Sequence, residues 1–201
     1  GVVQALLMLA ACWLLTGCMD PGPRALLKGE KLLQEGKLAQ SLEHLQRAVR
    51  LLPRTAQAHN LLGLAYHRSA QPDAAQRCYR QALALDNNLA AARYNLGCLL
   101  LENNDLQGAI DHLTSFTYLQ PNLAAGWLKL GAAQLRARRM DAAERAYRNA
   151  AVLEPHNPEG LNGLGSVQFY RRRMQEAYNL FSQALVEQPQ YAPALLNAAI
   201  V

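Results

Sequence analysis

The chain has 201 residues, about half of them hydrophobic, with few aromatics and 9 prolines. Its net charge of +5, carried by 16 Arg against 4 Lys, is too modest to indicate a nucleic-acid binder by itself. The composition suits a helical array whose core is spread along its length. The chain lacks an initiator Met and stops at Val201 inside a helical pattern, so a fragment or trimmed form is expected.

The first stretch reads GVVQALLMLAACWLLTGC. Its apolar run, residues 2–15, is interrupted only by Gln4. It falls short of the roughly 20 residues of a membrane span. It fits the apolar region of a secretory signal, with the usual charged leader missing. The run ends Leu15-Thr16-Gly17-Cys18, which resembles a bacterial lipobox. The resemblance implies a lipoprotein signal peptide over residues 1–17, cleavage before Cys18, and acyl chains on that cysteine. The alternative is a plain signal or short anchor with an incidental cysteine. One acyl chain binds a membrane marginally, whereas two or three make attachment effectively permanent. Met19 stands where Asp would follow, which by analogy with enterobacterial lipoproteins implies the outer membrane, facing the periplasm.

Residues 18–23 make a short tether, stiffened by Pro21 and Pro23. The first repeat is therefore expected close to the bilayer. Arg24, Lys28 and Lys31 would face anionic headgroups, or be ordinary solvated helix positions.

Beyond the tether, one stretch is written several times over. Trp127, Leu130, Gly131, Ala143, Tyr147, Ala150 and Pro155 have counterparts at steps of 34 residues. Gly131 aligns with Gly29, Gly63, Gly97 and Gly165; Ala143 with Ser41, Ala75, Ala109 and Ala177. Tyr147 aligns with Leu45, Tyr79, Leu113 and Phe181, and Pro155 with Pro53, Asn87, Pro121 and Pro189. This pattern resembles the tetratricopeptide repeat, a helix–turn–helix unit of 34 residues. Small residues let two antiparallel helices cross closely, large ones fill the space around the crossing, and the proline ends the second helix. One hairpin cannot close its own core, so the units must stack.

The resemblance implies an all-α fold, a right-handed α-solenoid. It places repeats at 22–55, 56–89, 90–123, 124–157 and 158–191, with part of a sixth at 192–201. In the first repeat, helices are expected over about 24–34 and 39–52, with Gly36 in the turn. Pro72 suits the start of a second helix, and Asp105 suits a cap. Gln134 and Gln168 replace the family's usual aromatic. Phe116 stands where other repeats have Ala48, Ala82, Ala150 and Ala184, so it should open the contact to the fourth repeat or fill a gap. No polar capping helix follows the partial repeat at 192–201, and more chain is expected beyond Val201.

Catalytic signatures are missing: no H-E-x-x-H, no G-x-S-x-G and no phosphate-cradling loop. His44, Cys78 and His112 share one column. Metal ligands must lie within about 2.3 Å of one ion, whereas packed helices are about 8–10 Å apart, so the column spreads them too far. His59, His67 and His156 show no cluster spacing. No metal, cofactor or enzymatic activity is expected. The family's geometry puts Cys78 on a second helix and Cys98 on a first helix, which implies free thiols; Cys12 would leave with the signal.

By the same resemblance, first helices line an inner curve that binds peptides. The positions are Asn60, Leu64 and His67; then Tyr94, Cys98 and Leu101; then Leu128, Ala132 and Leu135; then Asn162, Ser166 and Phe169. The surface is apolar with scattered amides, without the carboxylate-clamp pattern or a regular asparagine ladder. It suits an extended or helical partner segment with apolar anchors, and packing between repeats is the competing use. Two basic runs, Arg136, Arg138, Arg139 and Arg171, Arg172, Arg173, should stack on one edge. They would bind an anionic partner or simply complement helix C-termini. The expectation is a lipid-anchored, non-enzymatic scaffold of the bacterial envelope that binds another protein. Its relations would be lipoproteins that assist pilus or secretin assembly, or that recruit cell-wall enzymes. The alternatives are the repeat region of a longer enzyme, and a soluble adaptor whose first residues are incidental.

Overall fold

A computed structural model describes residues 21–201. The signal, the lipobox and Cys18 lie outside the described residues. The described part holds eleven helices and no strand. They are α1 (Pro21–Gln34), α2 (Leu38–Leu51), α3 (Ala56–Arg68), α4 (Pro72–Leu85), α5 (Ala90–Glu102) and α6 (Leu106–Leu119). There follow α7 (Ala124–Arg136), α8 (Met140–Leu153), α9 (Pro158–Tyr170), α10 (Met174–Glu187) and α11 (Ala192–Ala199). Helix α1 takes in Pro21 and Pro23, two residues assigned to the tether on sequence grounds. Proline is tolerated there because first-turn N–H groups have no helical partner. None of these helices is long and apolar enough to cross a membrane.

Every hairpin is closed in the same way. The residue two past the first helix is left-handed: Gly36 (φ +74°), Ala70 (+56°), Asn104 (+63°), Arg138 (+60°) and Arg172 (+64°). Around it two backbone bonds recur, as in Lys37 N–H to Leu32 O at 2.9 Å and Gly36 N–H to Leu33 O at 3.2 Å. This is the Schellman pattern, which satisfies the helix's last carbonyls. Asp105 caps α6 as expected, its carboxylate accepting from the Gly108 N–H at 3.0 Å. Pro72 opens α4.

The repeating glycine is needed for close approach. A Cβ at Gly29 would stand 2.6 Å from Leu45, and at Gly63 2.7 Å from the Tyr79 ring. At Gly97, Gly131 and Gly165 it would stand 2.7, 2.9 and 2.5 Å from Leu113, Tyr147 and Phe181. In the first repeat the buried Ser41 hydroxyl adds a hydrogen bond to Gly29 O at 2.8 Å.

The chain divides into two compact units, one up to Asn87 and one from Asn88. In the first, hairpins α1/α2 and α3/α4 pack through α2 against α3 and α1 against α3. Their core centres on Leu33, Leu45, Leu61, Leu62 and Ala65. Arg68, ending α3, donates to Leu33 O near the end of α1 at 3.2 Å.

In the second unit, α5/α6, α7/α8 and α9/α10 stack in order and α11 packs on α9 and α10. Consecutive first helices α5, α7 and α9 touch side by side. Tyr147 and Val167 anchor a core with Ala124, Leu128, Ala143 and Ala150. Phe116 fills a gap rather than opening one. Its ring occupies the place a Cβ on Gly126 would need, at 2.5 Å, and it packs against the Tyr94 ring, centroids 5.0 Å apart and planes tilted by 50°.

Candidate functional site

The first helices of the second unit carry a surface that mixes polar and apolar groups. A pocket of about 160 Å³ is lined by Leu128, Lys129 and Ala132 of α7, Glu159, Asn162, Gly163 and Ser166 of α9, with Tyr147 and Tyr191. Its polar groups are partly pre-oriented. Asn162 Oδ1 accepts from Asn197 Nδ2 at 2.9 Å, which turns the Asn162 amide NH₂ to other acceptors. The Ser166 hydroxyl donates to Asn162 O at 2.9 Å and keeps its lone pairs. Lys129 and Glu159 both line the pocket without forming a salt bridge among the described residues. The site thus offers donors, acceptors and opposite charges beside apolar surface, which is what a polypeptide segment needs.

Tyr94 and Cys98 sit one turn apart on α5. Burial, reinforced by Cys98 and then by Glu159, pushes the Tyr94 phenol up to about 12. Burial also raises the Tyr147 phenol, as does the nearby Tyr191. The Cys98 thiol is raised by burial, against the pull of Lys129 and of the Tyr94 hydrogen bond. Cys78 is raised by burial too. Neither is a poised nucleophile, and both are free cysteines. Among the described residues, no group of three His, Cys, Asp or Glu side chains could hold a metal ion.

The positions expected along the inner curve divide. Asn60, Leu101 and Leu128 are buried and serve packing first, whereas Leu64, His67, Tyr94, Cys98, Leu135, Asn162 and Phe169 keep partial exposure. Leu128 and Asn162 share the α7/α9 pocket. Leu135 lines another of about 260 Å³ with Asn104, Arg136, Arg138 and Tyr170. Phe169 lines a third. Asn60, Leu64 and His67 belong to the first unit, where His67 meets the Tyr79 ring edge-on at 6.5 Å. The sequence reading does not mark Lys129, Glu159, Tyr147 or Tyr191 as pocket residues. They flank the expected column or come from a second helix and a loop, which periodicity alone does not point toward the pocket.

The basic edge is mostly committed to internal contacts. Arg136 donates to Leu101 O at 2.8 Å and Asn104 Oδ1 at 2.9 Å, closing the end of α5. Arg139 donates to Gln107 Oε1 at 2.7 Å. Arg171 bonds Glu144 at 2.6 Å and also Asp141. Arg173 lies 3.6 Å from Glu176.

Family models described as TPR repeat and tetratricopeptide repeat match residues 29–69, 56–89 and 128–192. Among curated proteins, the type IV pilus assembly protein PilF of Pseudomonas aeruginosa is 29% identical over 126 residues, 55% of this chain and 50% of that protein. The chain therefore spans about half the length of that relative. Among solved structures, YrrB, a TPR protein with an unusual peptide-binding site, aligns with TM-score 0.78 at 19% identity, over 88% of this chain and 91% of its own. MamA of Desulfovibrio magneticus aligns with TM-score 0.80 at 18% identity, over 86% and 98%. The Pseudomonas aeruginosa PilF structure aligns with TM-score 0.76 at 23% identity, over 88% and 81%. These likenesses show the shared fold, an α-solenoid of tandem hairpins.

Proposed function

This chain belongs to the tetratricopeptide repeat family, and on that footing we propose that it is a non-enzymatic scaffold that grips a segment of a partner protein on its first helices. The observation that carries the reading is the α7/α9 pocket. There, Leu128 and Ala132 supply apolar surface while Asn162 and Ser166 supply a donor and an acceptor at peptide-bond scale. Tyr94 and Cys98 extend that surface on α5. Capture of the partner by chemical crosslinking tests it. Tyr94→Ala and Ser166→Arg should remove the captured protein while leaving the helical content intact. An unchanged captured set would show that the partner docks elsewhere.

The 29% relative favours a more specific version, a role in type IV pilus assembly at the bacterial envelope. Expression of this chain in a Pseudomonas aeruginosa strain lacking PilF tests that version. Restored surface pili would support it, and bare cells with the protein present would count against it. The Leu15–Cys18 lipobox pattern supports anchoring to a membrane, with the outer membrane facing the periplasm as the site. Radiolabelled palmitate should enter the protein and be lost on Cys18→Ser.

A further inference from the structure

Four of the six arginines on the basic edge are engaged by backbone, amide or carboxylate groups, and two are not. The Arg172 side chain makes no hydrogen bond or ion pair among the described residues. The Arg138 side chain has, among the described residues, only the Tyr170 ring, 4.5 Å from its guanidinium carbon. Both stand in left-handed backbone, at φ +60° and +64°. The equivalent position of the first repeat is Gly36. An L side chain is disfavoured there, so two arginines in succession oppose local backbone preference. Together they line a pocket of about 290 Å³ whose other walls are Phe169, Tyr170 and Met174.

The turn's own backbone offers little to an anion. The N–H groups of Arg138, Arg139, Arg172 and Arg173 are all spent on carbonyls of the preceding helix. A phosphate nest built from successive free N–H groups is therefore missing. What remains is two guanidinium forks beside two aromatic rings and a thioether. A planar fork matches a carboxylate, and the rings match an apolar neighbour. We infer that this pocket binds an acidic peptide segment of a partner protein, in which a carboxylate side chain flanks an aromatic or aliphatic one. Arg138 and Arg172 take the carboxylates, and Phe169, Tyr170 and Met174 take the apolar side chain. The site is separate from the α7/α9 pocket and does not depend on it.

The test uses the full chain and the capped tripeptide Asp-Phe-Glu, with Asn-Phe-Gln as its neutral match. Binding is followed by the NMR signals of the arginine side-chain N–H groups. The acidic peptide should shift Arg138 and Arg172, and the neutral one should bind at least about tenfold more weakly. Arg138→Gln and Arg172→Gln should each weaken the acidic peptide about tenfold, while Arg173→Gln and Ser166→Arg should not. Arg172→Gly separates function from folding. It should lose the peptide as Arg172→Gln does and yet raise Tm by about 2–4 °C, because glycine accepts the left-handed backbone. Equal binding of the two peptides would overturn the inference, as would Arg173→Gln weakening binding as much as Arg172→Gln. So would the two arginines responding to inorganic phosphate or phosphatidylglycerol vesicles but not to the acidic peptide.

Discussion

Gln168 is 8% exposed, and its Oε1 has no hydrogen-bond partner among the described residues. A buried, unsatisfied acceptor costs about 1–3 kcal/mol. Leu100 holds the same place in an earlier repeat and is buried there as an apolar side chain. Gln168→Leu should therefore stabilise the protein by about 1 kcal/mol, read as a rise in Tm of about 2–4 °C. The departure from an aromatic is plain in the sequence, whereas the unpaired oxygen becomes visible only once the helices are packed. Tyr94 gives a second expectation at this scale. Its folded pKa is raised to about 12 from an ordinary 10.0, so the neutral phenol is the form the fold holds. Its contribution is whole below pH about 10 and is lost as pH rises toward about 12, because the unfolded chain ionises first. Melting followed across that window should show stability falling, and Tyr94→Phe should flatten part of the fall.

Between elements, the informative contact is Phe116 against Gly126. Four other repeats pair a small residue in the first column, Ala48, Ala82, Ala150 or Ala184, with Ala or Gly in the second. Here a ring has taken the space that a side chain on α7 would fill. Phe116→Ala alone should cost about 3–5 kcal/mol, as ring deletions in cores do. Gly126→Ala alone should cost about 1–3 kcal/mol by overpacking against the ring. The double variant returns the pair to the small–small pattern, so its cost should fall short of the sum by more than about 1 kcal/mol. Denaturant melts of the four proteins measure that coupling. The sequence makes Phe116 conspicuous but leaves two outcomes open, because its partner lies ten residues on, in a column varying only between Ala and Gly. The hairpin turns are the converse case. Gly36 announces a left-handed residue, but Ala70, Asn104, Arg138 and Arg172 adopt the same backbone without it. Register with Gly36, rather than local propensity, is what points to them.

At the scale of the whole array, the contacts within each unit run, among the described residues, only between helices adjacent in order or one apart. Stability of such an array is nearly a sum of hairpin and neighbour terms, which is why a strict period of 34 residues made the fold so readable. Function is less readable, because the period separates first helices from second ones but does not mark which side chains remain exposed after stacking. Leu128 and Leu101 lie on the expected face and are largely consumed by packing, while Lys129 and Glu159, one or three places from expected positions, reach the pocket. The second helices meanwhile leave Tyr118, Val152 and Val186 at 86, 74 and 79% exposure, one per repeat of the second unit, so the face of the second helices is the natural competitor for a partner. A photo-crosslinking residue placed in turn at Ser166 and at Val152, in cells of the source organism, compares the two faces directly. Docking on the first helices predicts a protein adduct from Ser166 and none from Val152. An adduct from Val152 with none from Ser166 would contradict it.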